Sequence, residues 1–320
     1  MAVRWTPART VALLAAVLAC VLAFRVWREP MAPVRGAMAL QGWWIGLSEK
    51  RLVAGDHRWA YDVREAEQAS APTVVMVHGF TGSKENWYPL AERLGGHYRL
   101  VIPDLPGWGE SQRIAGADYG FAAQAERLAA FLREVRREGS PVVLLGHSMG
   151  GGIVAIVAAG HPELVDAVGL IDAAGVRFKD NAFGEEVLAG GNPFAVTDDA
   201  SLQRYLDTVF HDRAARPSIP WPASAAVIGW RVRQAPFEQQ VLDRIGRSPE
   251  RFLPGQAAAA IRQPTLLLWC RQDRVIDPSA MDLYAERIPQ ALRVSLDGCG
   301  HMSIMEKPDD VAAAVAMLSP

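Results

Sequence analysis

Val142-Val143-Leu144-Leu145-Gly146-His147-Ser148-Met149-Gly150-Gly151 is the stretch on which the reading of this sequence turns. Its first four residues are apolar without alternation, as a strand buried on both faces of a parallel sheet requires. Residues Ile153 to Ala159 read as a helix. A G-x-S-x-G match between such a strand and such a helix has the context of a nucleophile elbow, a sharp turn that holds its serine hydroxyl above the carboxyl edge of the sheet. That turn strains the serine backbone and needs small neighbours two residues away on each side, which Gly146 and Gly150 supply. The competing reading is a glycine-rich turn that only packs helix on strand, and the strand before the motif with the helix after it weighs against that reading.

Outward from this stretch, Val74 to Val77, Leu100 to Ile102, Val168 to Ile171 and Leu266 to Trp269 are further short apolar runs. Helix-length segments such as Phe121 to Arg137 lie between them, and strands alternating with helices imply a parallel, doubly wound sheet of the α/β class. Residues Arg51 to Val63 add earlier strands as an antiparallel edge, and Leu292 to Leu296 a last strand. The alternation stops at about Val176 and resumes at Thr265. Residues 176–262 are therefore read as a helical cap inserted after the sixth strand, with 50–175 and 263–320 forming the core domain. Phe178, Phe183, Phe194, Leu206, Phe210, Trp221, Ile228 and Trp230 make the insertion apolar enough to cover a greasy pocket.

A serine hydroxyl is a poor nucleophile at neutral pH, so it needs a base within hydrogen-bond reach and an acid that orients the base. Among the histidines, His301 stands on a glycine-bearing loop, Gly298-Cys299-Gly300-His301-Met302, that leaves the last strand. His57, His97, His161 and His211 read as ordinary surface or cap positions. Asp273, just beyond the strand ending at Cys270, is the favoured acid, with Asp277 and Asp172 as competitors. The order Ser148, Asp273, His301 matches one of the three known chain orders of such triads. His78-Gly79-Phe80-Thr81-Gly82 closes an early strand, so the backbone N–H groups of Phe80 and Met149 are the expected oxyanion donors, with His78 structural. The turn Asp104 to Ser111 is expected to hold the site together. Trp108, His147 and Met302 are assigned to the pocket wall, His147 pointing away from Ser148.

These motifs, with Trp269 to Asp273 and Glu306-Lys307-Pro308, resemble the α/β-hydrolase superfamily from about residue 50 to the end. Gly191-Asn192-Pro193-Phe194 and Arg216-Pro217-Ser218-Ile219-Pro220 are similar to cap segments of small bacterial family-five lipases and membrane-anchored monoacylglycerol lipases. The resemblance implies hydrolysis of lipid carboxylic esters through an acyl-enzyme, a triad of Ser148, Asp273 and His301, and no cofactor or metal. Serine at the elbow argues against haloalkane dehalogenases and epoxide hydrolases, which place aspartate there. Two alternatives stand: a carbon–carbon hydrolase of dienoic ring-cleavage products, which shares the Ser-Met-Gly-Gly text, and a non-catalytic ligand-binding homologue.

The 320 residues carry a net charge of -2, which leaves no positive field for phosphate backbones, so nucleic acid is not an expected partner. Three cysteines, Cys20, Cys270 and Cys299, without a C-x-x-C spacing suggest neither a disulfide framework nor a zinc site. Val11 to Phe24 runs fourteen residues without a polar side chain, after Arg4 and Arg9. As a helix it would span about 21 Å against a ~30 Å hydrocarbon core. Residues 1–30 are read as a membrane anchor at the cell envelope, the alternative being a signal cleaved from a secreted or periplasmic protein. Residues 31–49, with Trp43-Trp44, are read as a linker or a segment resting at a membrane surface, with packing against the main domain as an even alternative.

Overall fold

The computed structural model describes residues 7–318, except the side chains of residues 18, 19, 22 and 23. Its centre is an eight-stranded sheet in the order β1-β2-β4-β3-β5-β6-β7-β8. The strands are β1 (Ser48–Ala54), β2 (His57–Arg64), β3 (Thr73–Val77), β4 (Arg99–Pro103), β5 (Val142–His147), β6 (Ala167–Ile171), β7 (Thr265–Cys270) and β8 (Leu292–Leu296). β1 and β2 pair antiparallel with each other and β2 with β4. From β4 onward every pairing is parallel. All residues of β3 to β7 are buried, as uninterrupted apolar runs covered on both faces must be.

The preceding chain forms α1 (Pro7–Arg28) and α2 (Ala32–Trp44), and α3 (Tyr88–Arg93), α4 (Phe121–Val135) and α5 (Met149–Gly160) cross between strands. Between β6 and β7 come α6 (Ala182–Leu188), α7 (Asp199–Val209), α8 (Ala223–Leu242), a π-helical turn (Asp243–Arg247) and α9 (Leu253–Ala258). The chain closes with α10 (Ser279–Arg287), α11 (Ser303–Glu306) and α12 (Pro308–Ala316). One large apolar cluster joins the cap residues Phe194, Leu202 and Leu206 to Met149 and Ile153 of α5, so cap and sheet share a core.

Two expectations change. Over residues 31–49 the linker gives way to the alternative weighed beside it, packing on the main domain: the segment is largely the helix α2, and Gly42 meets the Tyr88 ring so closely that a Cβ would lie 3.0 Å from its hydroxyl. Trp43 and Trp44 face outward, 68% and 74% exposed. The transmembrane helix expected near the start is not found: among the described residues no helix is long and apolar enough to cross a membrane. The apolar run within α1 is short and alanine-rich, between Arg9 and Arg25. Val11, Leu14, Phe24 and Trp27 of that helix are nonetheless exposed.

A third expectation is corrected by a disulfide between Cys270 and Cys299, Cα atoms 5.3 Å apart and 29 positions apart in sequence. Cys270 ends β7 and Cys299 lies on the loop after β8. Because these strands are parallel neighbours, their exits are adjacent, which no spacing in the chain reveals.

Candidate active site

Every residue singled out for chemistry leaves the carboxyl end of a parallel strand, the edge where open α/β sheets form their sites. Ser148 follows β5 with φ +55° and ψ -121°, backbone that side chains rarely adopt. Its neighbours show why it is flanked by glycine. A Cβ on Gly146 would lie 2.4 Å from the Gly150 carbonyl oxygen, and one on Gly150 would lie 2.3 Å from that of Val77. Gly79 likewise lets the loop after β3 reach the turn, since a Cβ there would meet the Ser148 Cβ at 2.9 Å.

His301 joins the serine to an acid. Its Nδ1 lies 2.8 Å from Asp273 Oδ2 and its Nε2 lies 2.9 Å from Ser148 Oγ. The other Asp273 oxygen accepts the N–H groups of Val275 and Ile276, at 2.8 and 3.0 Å. That carboxyl is therefore oriented as an acceptor: Nδ1–H donates to it, leaving the Nε2 lone pair to accept the Ser148 hydroxyl. All three residues are buried. Burial pushes the His301 imidazole down to about 3, opposed by the Glu306 charge. The same loss of water raises the Asp273 carboxyl, against the two backbone N–H bonds. Such a chain can draw a proton from the serine as its oxygen attacks a carbonyl.

The competing carboxylates are occupied elsewhere. Asp277 accepts the Ser279 N–H at 3.0 Å, at the start of α10. Asp172 accepts the Cys270 N–H at 3.0 Å and the Ser303 hydroxyl. Burial and the nearby Asp273 raise its carboxyl. The N–H groups of Phe80 and Met149 have no acceptor among the described residues, and both residues line the cavity that Ser148 lines. His78 Nδ1–H donates to the Gly79 carbonyl at 2.8 Å while Nε2 accepts the Leu105 N–H at 2.9 Å. Burial pushes that imidazole down to about 4, consistent with the neutral tautomer these bonds require. Asp104 accepts the N–H groups of Lys84 and Glu110, both at 2.9 Å, which ties the turn after β4 to the loop after β3.

The cavity beside Ser148 has a volume of about 140 Å³, and its wall is mostly apolar. Phe178, Phe183 and Phe194 come from the cap side, Phe121 and Met149 from the core, and Val275 and Ile276 from the loop after β7. None of the three side chains assigned to the wall lies on it. Trp108 packs against Tyr119 and Phe237, ring centroids 6.3 and 5.0 Å away, beside a separate polar cavity. His147 lies behind the base, its ring 4.8 Å from that of His301. The Met302 backbone N–H donates to Val209 at 3.1 Å, tying the base loop to the end of α7. His57, expected at the surface, is buried against Asp56 and Tyr119. Val275 and Ile276 were missed, although an apolar pair next to the acid was a readable signal.

Lipase 1 of Psychrobacter immobilis is 31% identical over 274 residues, covering 84% of this chain and 82% of the relative. Monoacylglycerol lipase ABHD6 of Bos taurus is 26% identical, covering 92% and 88%. Among solved structures, a membrane phospholipase A described as a novel bacterial virulence factor superposes with a TM-score of 0.83 at 31% identity, over 97% of each chain. The family model for the α/β-hydrolase fold matches residues 72–308. That span runs from the loop before β3 to the first residue of α12 and contains the elbow, the cap and both partners of Ser148, so the chain belongs to the α/β-hydrolase family.

Proposed function

We propose that this protein is a serine hydrolase that cleaves carboxylic esters of lipids through an acyl-enzyme. The observation that carries the reading is the continuous chain Ser148 Oγ, His301, Asp273 opening onto an apolar cavity. Ser148 is the nucleophile, His301 the general base and then the acid for the leaving alcohol, and Asp273 the group that orients the imidazole. The N–H groups of Phe80 and Met149 receive the charge that develops on the carbonyl oxygen. An apolar wall suits an acyl chain, and lipase relatives across most of the chain's length support that substrate class.

The same reading puts the protein at a membrane surface. The exposed apolar side chains of α1 and the outward Trp43 and Trp44 support attachment by the N-terminal segment. The Cys270–Cys299 disulfide supports a compartment that is oxidising, such as the cell envelope.

A rate profile over monoacylglycerols, triacylglycerols, p-nitrophenyl esters and a dienoic ketone, run for the parent and for Ser148→Ala, tests the chemistry. Esters should dominate, and the alanine variant should lose on the order of 10⁶-fold in kcat. Preference for the dienoic ketone, or a tenth of the activity surviving in Ser148→Ala, ends the proposal. Release of the full chain from membranes by detergent and not by high salt tests the attachment.

A further inference from the structure

We propose that Tyr205 is a positioning residue for the reaction: its hydroxyl, on helix α7 of the cap, holds the turn that carries the oxyanion donor Phe80 through a bond to Thr81. The proposal rests on the ester-hydrolase reading above and goes further by naming a cap residue that acts on the machinery without meeting substrate. Thr81 Oγ1 and Tyr205 Oη lie 3.2 Å apart, across 124 positions of chain. Neither residue lies on the wall of the cavity that Ser148 and Phe80 line, so the pair stands outside the path of the acyl group.

The local backbone asks for glycine where this chain has threonine. The Gly82 N–H donates to the Gly79 carbonyl at 3.2 Å, which closes a four-residue turn with Phe80 and Thr81 at its centre. Thr81 has φ +61°, whereas Phe80 has no positive φ. That is the pattern of a type II turn, whose third position favours glycine or asparagine because φ is positive there. A β-branched residue in the left-handed region is strained and persists only where its surroundings hold it. Threonine supplies what glycine lacks, a hydroxyl that reaches the cap.

The cap side of the contact is itself fixed. The Arg231 guanidinium carbon lies 5.3 Å from the centre of the Tyr205 ring. Arg231 is buried, pairs with the buried Glu238 at 3.1 Å and donates from Nη2 to the Phe194 carbonyl oxygen at 2.8 Å. Phe194 in turn packs its ring on that of Phe80, centroids 5.2 Å apart. The turn is thus gripped at both central residues, by ring contact at Phe80 and by a hydroxyl at Thr81. Released at one of them, a strained turn relaxes, and the Phe80 N–H shifts from the point where the carbonyl oxygen gains its charge. Displacing a donor costs less than removing it, so about 10-fold in kcat is expected against the ~10²–10³-fold of outright loss.

The test compares Tyr205→Phe, Thr81→Val, their double variant and Thr81→Ser with the parent. It reads kcat and KM on p-nitrophenyl butyrate and the inhibition constant of a trifluoromethyl ketone, whose oxygen occupies the donor pair once Ser148 has added to its carbonyl. Tyr205→Phe and Thr81→Val should each lower kcat by about 10-fold with KM nearly unchanged, and should weaken the ketone by the same factor. The double variant should be no worse than either single one, because both remove the same contact. Thr81→Ser, which keeps the hydroxyl, should recover most of what Thr81→Val loses. An unchanged kcat in Tyr205→Phe, or losses that multiply in the double variant, would overturn the proposal. So would a raised KM with kcat intact, which would make the pair part of the substrate wall. If Thr81→Val does not fold, Tyr205→Phe decides by its kcat and its ketone affinity. A parent inert toward the ester would remove the ester-hydrolase reading and this inference together, whereas an active parent with Tyr205→Phe at full kcat removes this inference alone.

Discussion

The Nε2–H of His147 donates to the backbone carbonyl of His301 at 2.6 Å, so the residue before the nucleophile holds the main chain of the base. Burial and the neighbouring His301 push the His147 imidazole down to about 3, in keeping with a neutral ring serving as a fixed donor. Elbow and base loop are thus joined twice, once through the Ser148 hydroxyl and once behind it.

His147→Ala should therefore lower kcat with little change in KM, by about 10-fold, because the base is displaced while the acyl cavity is untouched. The buried His301 carbonyl also loses its donor, at a cost of about 1–3 kcal/mol in stability. Steady-state kinetics on p-nitrophenyl butyrate, with denaturant unfolding alongside, checks both; an unchanged kcat would contradict the positioning role.

Asp273→Asn should cost on the order of 10⁴-fold in kcat, as when a triad loses the carboxylate that fixes the histidine tautomer. Asp277→Asn should cost far less, because that side chain only accepts the Ser279 N–H at the start of α10. A crippling effect confined to Asp277→Asn would reassign the acid.

The pH profile follows from the direction of the His301 shift. The base works only when neutral, and burial places its charging well below the ordinary histidine value of about 6.5. The acidic limb of kcat/KM should accordingly lie below pH ~6.5. Glu306 opposes the shift by favouring the charged imidazole, so Glu306→Gln should move the limb to still lower pH. A limb at or above the ordinary value, or one moved upward by Glu306→Gln, would show that burial does not govern this group.

The disulfide joins the strand end three residues before Asp273 to the loop two residues before His301. Replacing both cysteines by alanine frees a loop of 29-residue separation, and chain entropy puts the loss at about 3–4 kcal/mol. Gln272 remains as a second tie, its Oε1 accepting the N–H groups of Gly298 and Cys299 at 3.0 and 3.4 Å. The double variant should fold with a lowered denaturant midpoint. A midpoint equal to the parent's would mean that the cross-link does not form in the native protein.

The sequence by itself pointed to the parallel strands, to Ser148 and to His301, and it favoured Asp273 while leaving Asp277 and Asp172 open, a choice that the structure made through the His301 contact. These were legible because each is written locally: uninterrupted apolar runs for β3 to β7, glycines at fixed offsets for the turn at Ser148, and His301 and Asp273 directly after strands that must end on one edge. Tertiary structure alone decided what depends on which strand exits and side chains become neighbours. It paired Cys270 with Cys299, turned Trp108 toward Tyr119 and Phe237, set His147 behind His301, and brought Thr81 and Tyr205 to face each other across 124 positions of chain. No period or motif encodes such contacts, because packing fixes them only after strand order and cap placement have been chosen.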